Sequence, residues 1–179
     1  MGIPTLITTN TITSGTSVST FTSSIDSDYD EYMFVVTDAH PASNSQDFQV
    51  QFNASGGSGY DETITSTAVR ARNNEDDTSS RDYQTAYDKA QNAGNQVIAI
   101  ETENNADSSC AGILHLMQPS NTTFVKHFYS RFSTYNYNAS IYDVYVSGYI
   151  NTTTAITQVQ FKFGSGNIDN AVIQMYGIG

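Results

Sequence analysis

Tryptophan is absent from the 179 residues, cysteine occurs once and proline three times, and seven basic side chains face 18 acidic ones, a formal charge of −11. Each shortage excludes something. A single thiol, Cys110, makes no intrachain disulfide, and its apolar setting "CAGILHLM" predicts a buried, inert side chain. A surface this acidic repels nucleic acid, whose binding draws on Lys and Arg neutralising phosphate, and the four arginines form no basic stripe. The same field disfavours anionic membrane surfaces. No segment approaches the ~20 apolar residues that span a bilayer. The opening "MGIPTLITTN" has neither a basic region nor an apolar run of signal-peptide length, so a soluble protein without an export signal is expected.

What the chain does have is strand signal. "DFQVQFN" (47–53) alternates strictly, with Phe48, Val50 and Phe52 on one face and Gln49 and Gln51 on the other. "TQVQFKF" (157–163) repeats this with Val159, Phe161 and Phe163 inward. Further strands are predicted at 6–12, 16–21, 31–38, 62–70, 96–102, 110–117, 123–132, 141–150 and 171–178. The segments between them, such as "NASGGSGYD" and "GSGNIDN", are rich in turn residues, and "GGSG" and "GSG" read as hairpin loops. Many short two-faced strands predict an all-β chain, an antiparallel β-sandwich of jelly-roll type.

One stretch breaks the pattern. In "SSRDYQTAYDKAQNAG" (79–94), Tyr83, Ala86, Tyr87 and Ala90 recur at helical spacing, Ser79 or Ser80 can cap the start, and Gly94 can close the end. A single short helix is expected there, with Glu75, Asp76 and Asp77 placed to favour its N-terminus. Residues 1–12, Thr-rich and uncharged, read as an N-terminal arm, and 13–179 as one sandwich domain.

Motifs that would carry chemistry are few. In "SSIDSDYDEY" (23–32), Asp26, Asp28 and Asp30 sit at every second position, as calcium ligands can. An EF-hand counted from Asp26 would need Gly at position 31 and Glu at 37, where the chain has Glu31 and Thr37. "YMFVV" then continues as a strand, so a solvated turn is the reading taken, with a non-EF calcium site on the three aspartates as its alternative. His40, His115 and His127 form no zinc motif, there is no G-x-S-x-G elbow and no phosphate-binding loop, and no cofactor is expected.

The aromatics are the better lead. In "FVKHFYSRF" (124–132) the row Phe124, Lys126, Phe128, Ser130 and Phe132 reads as the core face, placing His127 outward with Tyr129 and Arg131. In 141–150, Tyr142, Val144, Val146 and Ile150 read as inward and Tyr145 and Tyr149 as outward. Outward tyrosines beside Asn and Ser suit protein interfaces and sugar sites, because a rigid amphipathic ring gives contact area at low entropic cost. Cross-strand pairing on an ordinary sheet is the equal alternative. Tyr135, Tyr137, Tyr145, Tyr149 and His127 are therefore the interface or glycan-binding candidates.

Four stretches, "FVVTDAHPASNSQDFQVQFN", "RARNNEDDTSS", "TTFVKHFY" and "SGYINTTTAITQVQFKFGSGNIDNAVIQMYGI", give the chain a resemblance to a family of tailed-phage virion structural proteins. The likeness runs from about Tyr32 to Ile178 and includes a closing hairpin around "SGNID" and a terminal "YGI". It supplies no catalytic residues. The resemblance implies a β-sandwich that assembles with copies of itself and with other virion proteins; a non-enzymatic place on the particle exterior, after assembly in a host cytoplasm, is the expectation built on it. Such a protein would associate with itself, as a homotrimer, and with the major capsid protein or tail proteins. Capsid decoration or cement is the leading expectation. A tail-associated, glycan-binding adhesion module is the alternative.

Overall fold

The alternation in "KHFYSRFSTYN" (126–136) is realised without a break. Lys126, Phe128, Ser130, Phe132, Thr134 and Asn136 are buried, while the five residues between them are exposed. A computed structural model describes residues 2–136 and 139–179 and contains thirteen strands and no helix among them. They are β1 (Thr5–Ile12), β2 (Ser19–Phe21), β3 (Glu31–Pro41), β4 (Gln46–Ala54), β5 (Ile64–Asn74), β6 (Ser79–Tyr83) and β7 (Lys89–Asn92). The remainder are β8 (Gln96–Thr102), β9 (Cys110–Met117), β10 (Lys126–Asn136), β11 (Ser140–Ile150), β12 (Ile156–Phe163) and β13 (Ile168–Ile178).

The strands form two sheets. Nine make one, in the order β1-β13-β3-β9-β10-β11-β5-β6, with β7 also on β5; four make the other, β2-β12-β4-β8. All named pairs are antiparallel. The pairs β3·β13, β4·β12 and β5·β11 nest one inside the next while the chain alternates between sheets, which is the pairing of a long hairpin rolled into a jelly roll. The segment expected as an arm supplies β1, which lines up along β13 at the sheet edge.

The core fills the gap between the sheets, as the period-2 pattern requires. Phe34 meets Phe161 at 5.5 Å between ring centroids, Phe48 meets Phe132 at 6.0 Å, and Phe52 meets Phe128 at 5.4 Å, each pair drawn from opposite sheets. Phe48 and Phe161 stack side by side at 5.8 Å and 11° on neighbouring strands of the smaller sheet. Cys110 is buried among these residues, and burial pushes its thiol up to about 12.

Three expectations are corrected. The helix over 79–94 is absent: Ser79–Tyr83 instead pairs with β5, and the helical spacing reduces to one turn, in which Tyr87 and Asp88 donate to the Gln84 carbonyl. Ser and Asp are weak helix formers, and the backbone of 79–83 gains more from the open edge of β5. Glu75–Asp77 accordingly sit at the tip of the β5–β6 hairpin, where Asp76 accepts from the Thr78 amide at 2.9 Å.

The hairpins expected at "GGSG" and around "SGNID" are not hairpins. The first joins β4 to β5 and the second β12 to β13, in each case crossing from one sheet to the other. Phe124, expected on the core row, is 68% exposed because β10 begins at Lys126 and the residues before it turn away. Lys126 takes the inward slot at 1% exposure, donating from Nζ to the carbonyls of Phe124 and Thr152 at 3.2 Å, and burial lowers its pKa.

Candidate functional site

The sheet order places β9, β10 and β11 at the middle of the nine-stranded sheet, and their outward residues form one continuous face. Register brings specific side chains opposite one another: His115 faces Tyr129, Arg131 lies between Ile113 and Tyr145, and Tyr135 faces Ile141. Four large apolar or aromatic residues on this face, Ile113, Tyr129, Ile141 and Tyr145, are between 37% and 47% exposed, and Tyr135 joins them near one end. The face therefore leaves several large apolar and aromatic side chains partly uncovered side by side, which makes it the candidate contact surface.

Charges on the face are neutralised locally. Arg131 donates to Asp143 from Nε at 3.0 Å and from Nη2 at 2.9 Å, and these bonds hold the guanidinium firmly protonated. Its Cζ lies 4.9 Å from the Tyr145 ring centroid. His115 Nδ1 contacts the Glu31 carboxylate, and its ring stacks on Tyr129 at 4.5 Å and 13°. Partial burial, and then the Glu31 charge, raise the pKa of the Tyr129 phenol.

Two shallow depressions flank the Glu31–His115 pair. One of about 580 Å3 is lined by Ile113, His115, Tyr129, Arg131, Ile141 and Asp143. The other, of about 750 Å3, is lined by Glu31, Met117, Asn121, Phe124 and His127 among others. Asn121 Oδ1 accepts from the Thr123 and Phe124 amides at 2.7 and 2.9 Å, which fixes the turn that presents Phe124. Both volumes fall within the range of small-molecule sites.

The sequence-derived candidates fall as follows. Tyr145 and Tyr135 lie on the face, partly exposed; Tyr149 is less exposed, with its hydroxyl accepting from Gln91 Nε2 at 3.2 Å. His127 is exposed and meets Tyr149 edge-on at 6.4 Å. Tyr137 lies outside the described residues. The face thus brings together Tyr145, Tyr149 and His127 on paired strands and leaves Tyr135 at the far end of β10. Sequence reasoning missed Ile113, Ile141 and the Glu31–His115 pair, whose members are 84 residues apart. The outward positions of Ile113 and Ile141 were readable from alternation; the Glu31–His115 contact needs the β3·β9 register.

Asp26, Asp28 and Asp30 are arranged as a turn. Asp26 Oδ1 accepts from the Asp28 amide at 3.0 Å and from the Tyr32 hydroxyl at 3.0 Å, while the Asp26 amide donates to that hydroxyl at 2.9 Å. Among the described residues, no group of three or more His, Cys, Asp or Glu is arranged to hold a metal ion.

A second polar cluster lies inside the sandwich near the end of β10. The Glu101 carboxylate accepts from Asn136 Nδ2 at 3.1 Å and from the Tyr142 hydroxyl at 3.4 Å, and Asp47 accepts from the Glu101 amide at 2.9 Å. Burial, with the Glu101 charge adding to it, raises the Asp47 pKa. Arg70 lies 4.8 Å from the Tyr142 ring centroid and pairs with Asp82 at 3.0 Å. These bonds tie β4 and β8 to β10, β11 and β5, a structural role.

No family model matches the chain, and no curated protein does. A solved structure described as a structural-genomics protein of unknown function from Bacteroides ovatus aligns with 58% of this chain and 45% of its own at 6% identity and a TM-score of 0.32. The chain thus spans less than half of that protein's length, and so slight a likeness carries no argument.

Proposed function

We propose that the chain is a non-enzymatic structural protein of a tailed-phage particle, held on the exterior as a capsid decoration or cement protein. The observation that carries this reading is the exposed Ile113, Tyr129, Ile141 and Tyr145 set on the rigid centre of the nine-stranded sheet. Such a face stays hydrated while the protein is free and gives up its water on docking, with tyrosines as rigid anchors. The paired charges Arg131–Asp143 and the Glu31–His115 contact add specificity, and the first pair leaves no lone ion at the contact. The phage assignment comes from the resemblance over Tyr32–Ile178. The partners are copies of the chain and the major capsid protein or tail proteins, and its place is the virion, assembled in the host cytoplasm.

A second reading, a tail-associated adhesion module for host glycan, is favoured by one feature. The His115–Tyr129 stack borders a depression that also holds the Arg131–Asp143 pair, so a sugar ring could lie on an aromatic while its hydroxyls meet fixed polar groups. Copy number separates the two. Quantitative mass spectrometry of purified particles is expected to find hundreds of copies for a cement protein and a few dozen at most for a tail module. Absence from the particle would overturn both.

A further inference from the structure

Two sheets have four edges, and three of them are shielded. The β6 edge is five residues long and carries Arg81 and Asp82 beside the acidic hairpin tip. The β2 edge is three residues long. On the β8 edge, side chains serve the backbone: Val97 O accepts from Gln96 Nε2, and Glu101 O accepts from Asn136 Nδ2. Natural sheets blunt their edges by such means, because an open row of amides and carbonyls is a template for another strand.

β1 is neither short nor charged, and its one irregularity is a break in its register with β13 between Leu6 and Thr8. It is eight residues long, pairs with β13 on one side, and has no strand on the other among the described residues. Its sequence "TLITTNTI" has neither Lys nor Pro, and the first charged side chain anywhere in the chain is Asp26. Ile3 and Leu6 stand at this edge 88% and 50% exposed.

We infer that β1 is a self-pairing edge, along which two copies of this chain join antiparallel and continue the nine-stranded sheet across a twofold axis. Charge selects the occupant. Each copy carries −11, so like copies approach most easily where neither brings a charge, and the uncharged N-terminal stretch is that place. An antiparallel contact about a twofold needs the same strand on both sides, and the Thr-rich β1 offers β-branched cross-strand pairs with itself. Pairing satisfies the outward amides and carbonyls and covers Leu6. This surface is distinct from the outer tyrosine face, and its test is read on the isolated chain, so it stands or falls apart from particle attachment.

Sedimentation of the full chain over a concentration series tests it. The expected result is a reversible species of twice the 19.5 kDa chain mass. Leu6→Lys and Thr8→Lys, each at an exposed position, abolish that species and leave the circular dichroism of the fold unchanged, whereas Ile141→Lys on the tyrosine face leaves it intact. Amide exchange in β1 slows in step with dimer formation. A monomer at every concentration, a trimer, or a dimer surviving both lysine variants overturns the inference. So does protection of β1 that arises only on the particle, which would assign the edge to a strand from another protein.

Discussion

Arg131 and Asp143 meet diagonally across the β10–β11 pair, two bonds of 3.0 and 2.9 Å joining the guanidinium to the carboxylate while Tyr145, directly opposite Arg131, lies under it. Both side chains remain solvated, and pairs of this kind contribute little to folding. Their value is in holding the tyrosine and the two charges in one fixed arrangement. Arg131→Ala is expected to leave Tm close to that of the parent and to weaken particle attachment. A large loss of Tm, seen by thermal melting of the free protein, would make the pair structural instead.

The inter-sheet core makes the opposite prediction. Phe161 contacts Phe21, Phe34 and Phe48 and is fully buried. Phe161→Ala removes those contacts and leaves a cavity, costing about 3–5 kcal/mol. Urea unfolding should show the midpoint fall at an unchanged slope.

The acidic turn should be indifferent to calcium. Its carboxylate at Asp26 is engaged by the Asp28 amide and the Tyr32 hydroxyl. Melting temperature is expected to be the same with added calcium and with chelator, since a ligand of the native state would raise it. Tyr32→Phe, by contrast, strips the Asp26 amide of its acceptor and should cost about 1–3 kcal/mol. A calcium-dependent rise in Tm would return Asp26, Asp28 and Asp30 to the status of ligands.

Alkaline pH should unfold the protein. Burial raises Tyr32 and Tyr87 from 10.0 to about 12, and Cys110 from 9.0 to about 12. The native state therefore keeps protons that the unfolded chain releases. Stability from these groups is full below pH 9.0 and is lost as pH rises towards about 12. Denaturant midpoints should hold level to that point and then decline, with the phenolate absorbance of the two tyrosines appearing together with unfolding. Ionisation of both within a fully native protein near pH 10 would contradict this.

Alternation made the strands and their faces readable. Phe48, Val50, Phe52, Val159, Phe161 and Phe163 are all buried, and Tyr145 and His127 face outward, because a pleated strand has only two sides. What alternation does not carry is which strand neighbours which. Short Gly/Ser loops look alike whether they reverse within a sheet or cross to the other, so "GGSG" and "SGNID" read as hairpins. Tyr83, Ala86, Tyr87 and Ala90 satisfied a helical period over residues whose backbone finds its partners on β5. The Glu31–His115 pair and the two depressions depend on the β3·β9·β10 register, which no local pattern specifies.

Hydroxyl-radical labelling of the tyrosines, compared between the free chain and the intact particle, tests the docking face most directly. Tyr129 and Tyr145 are expected to be labelled several-fold less on the particle, while Tyr83, exposed on β6 at the far edge of the sheet, is labelled equally in both. Equal labelling of Tyr129 and Tyr145 in the two states would show that this face stays in water and that attachment lies elsewhere.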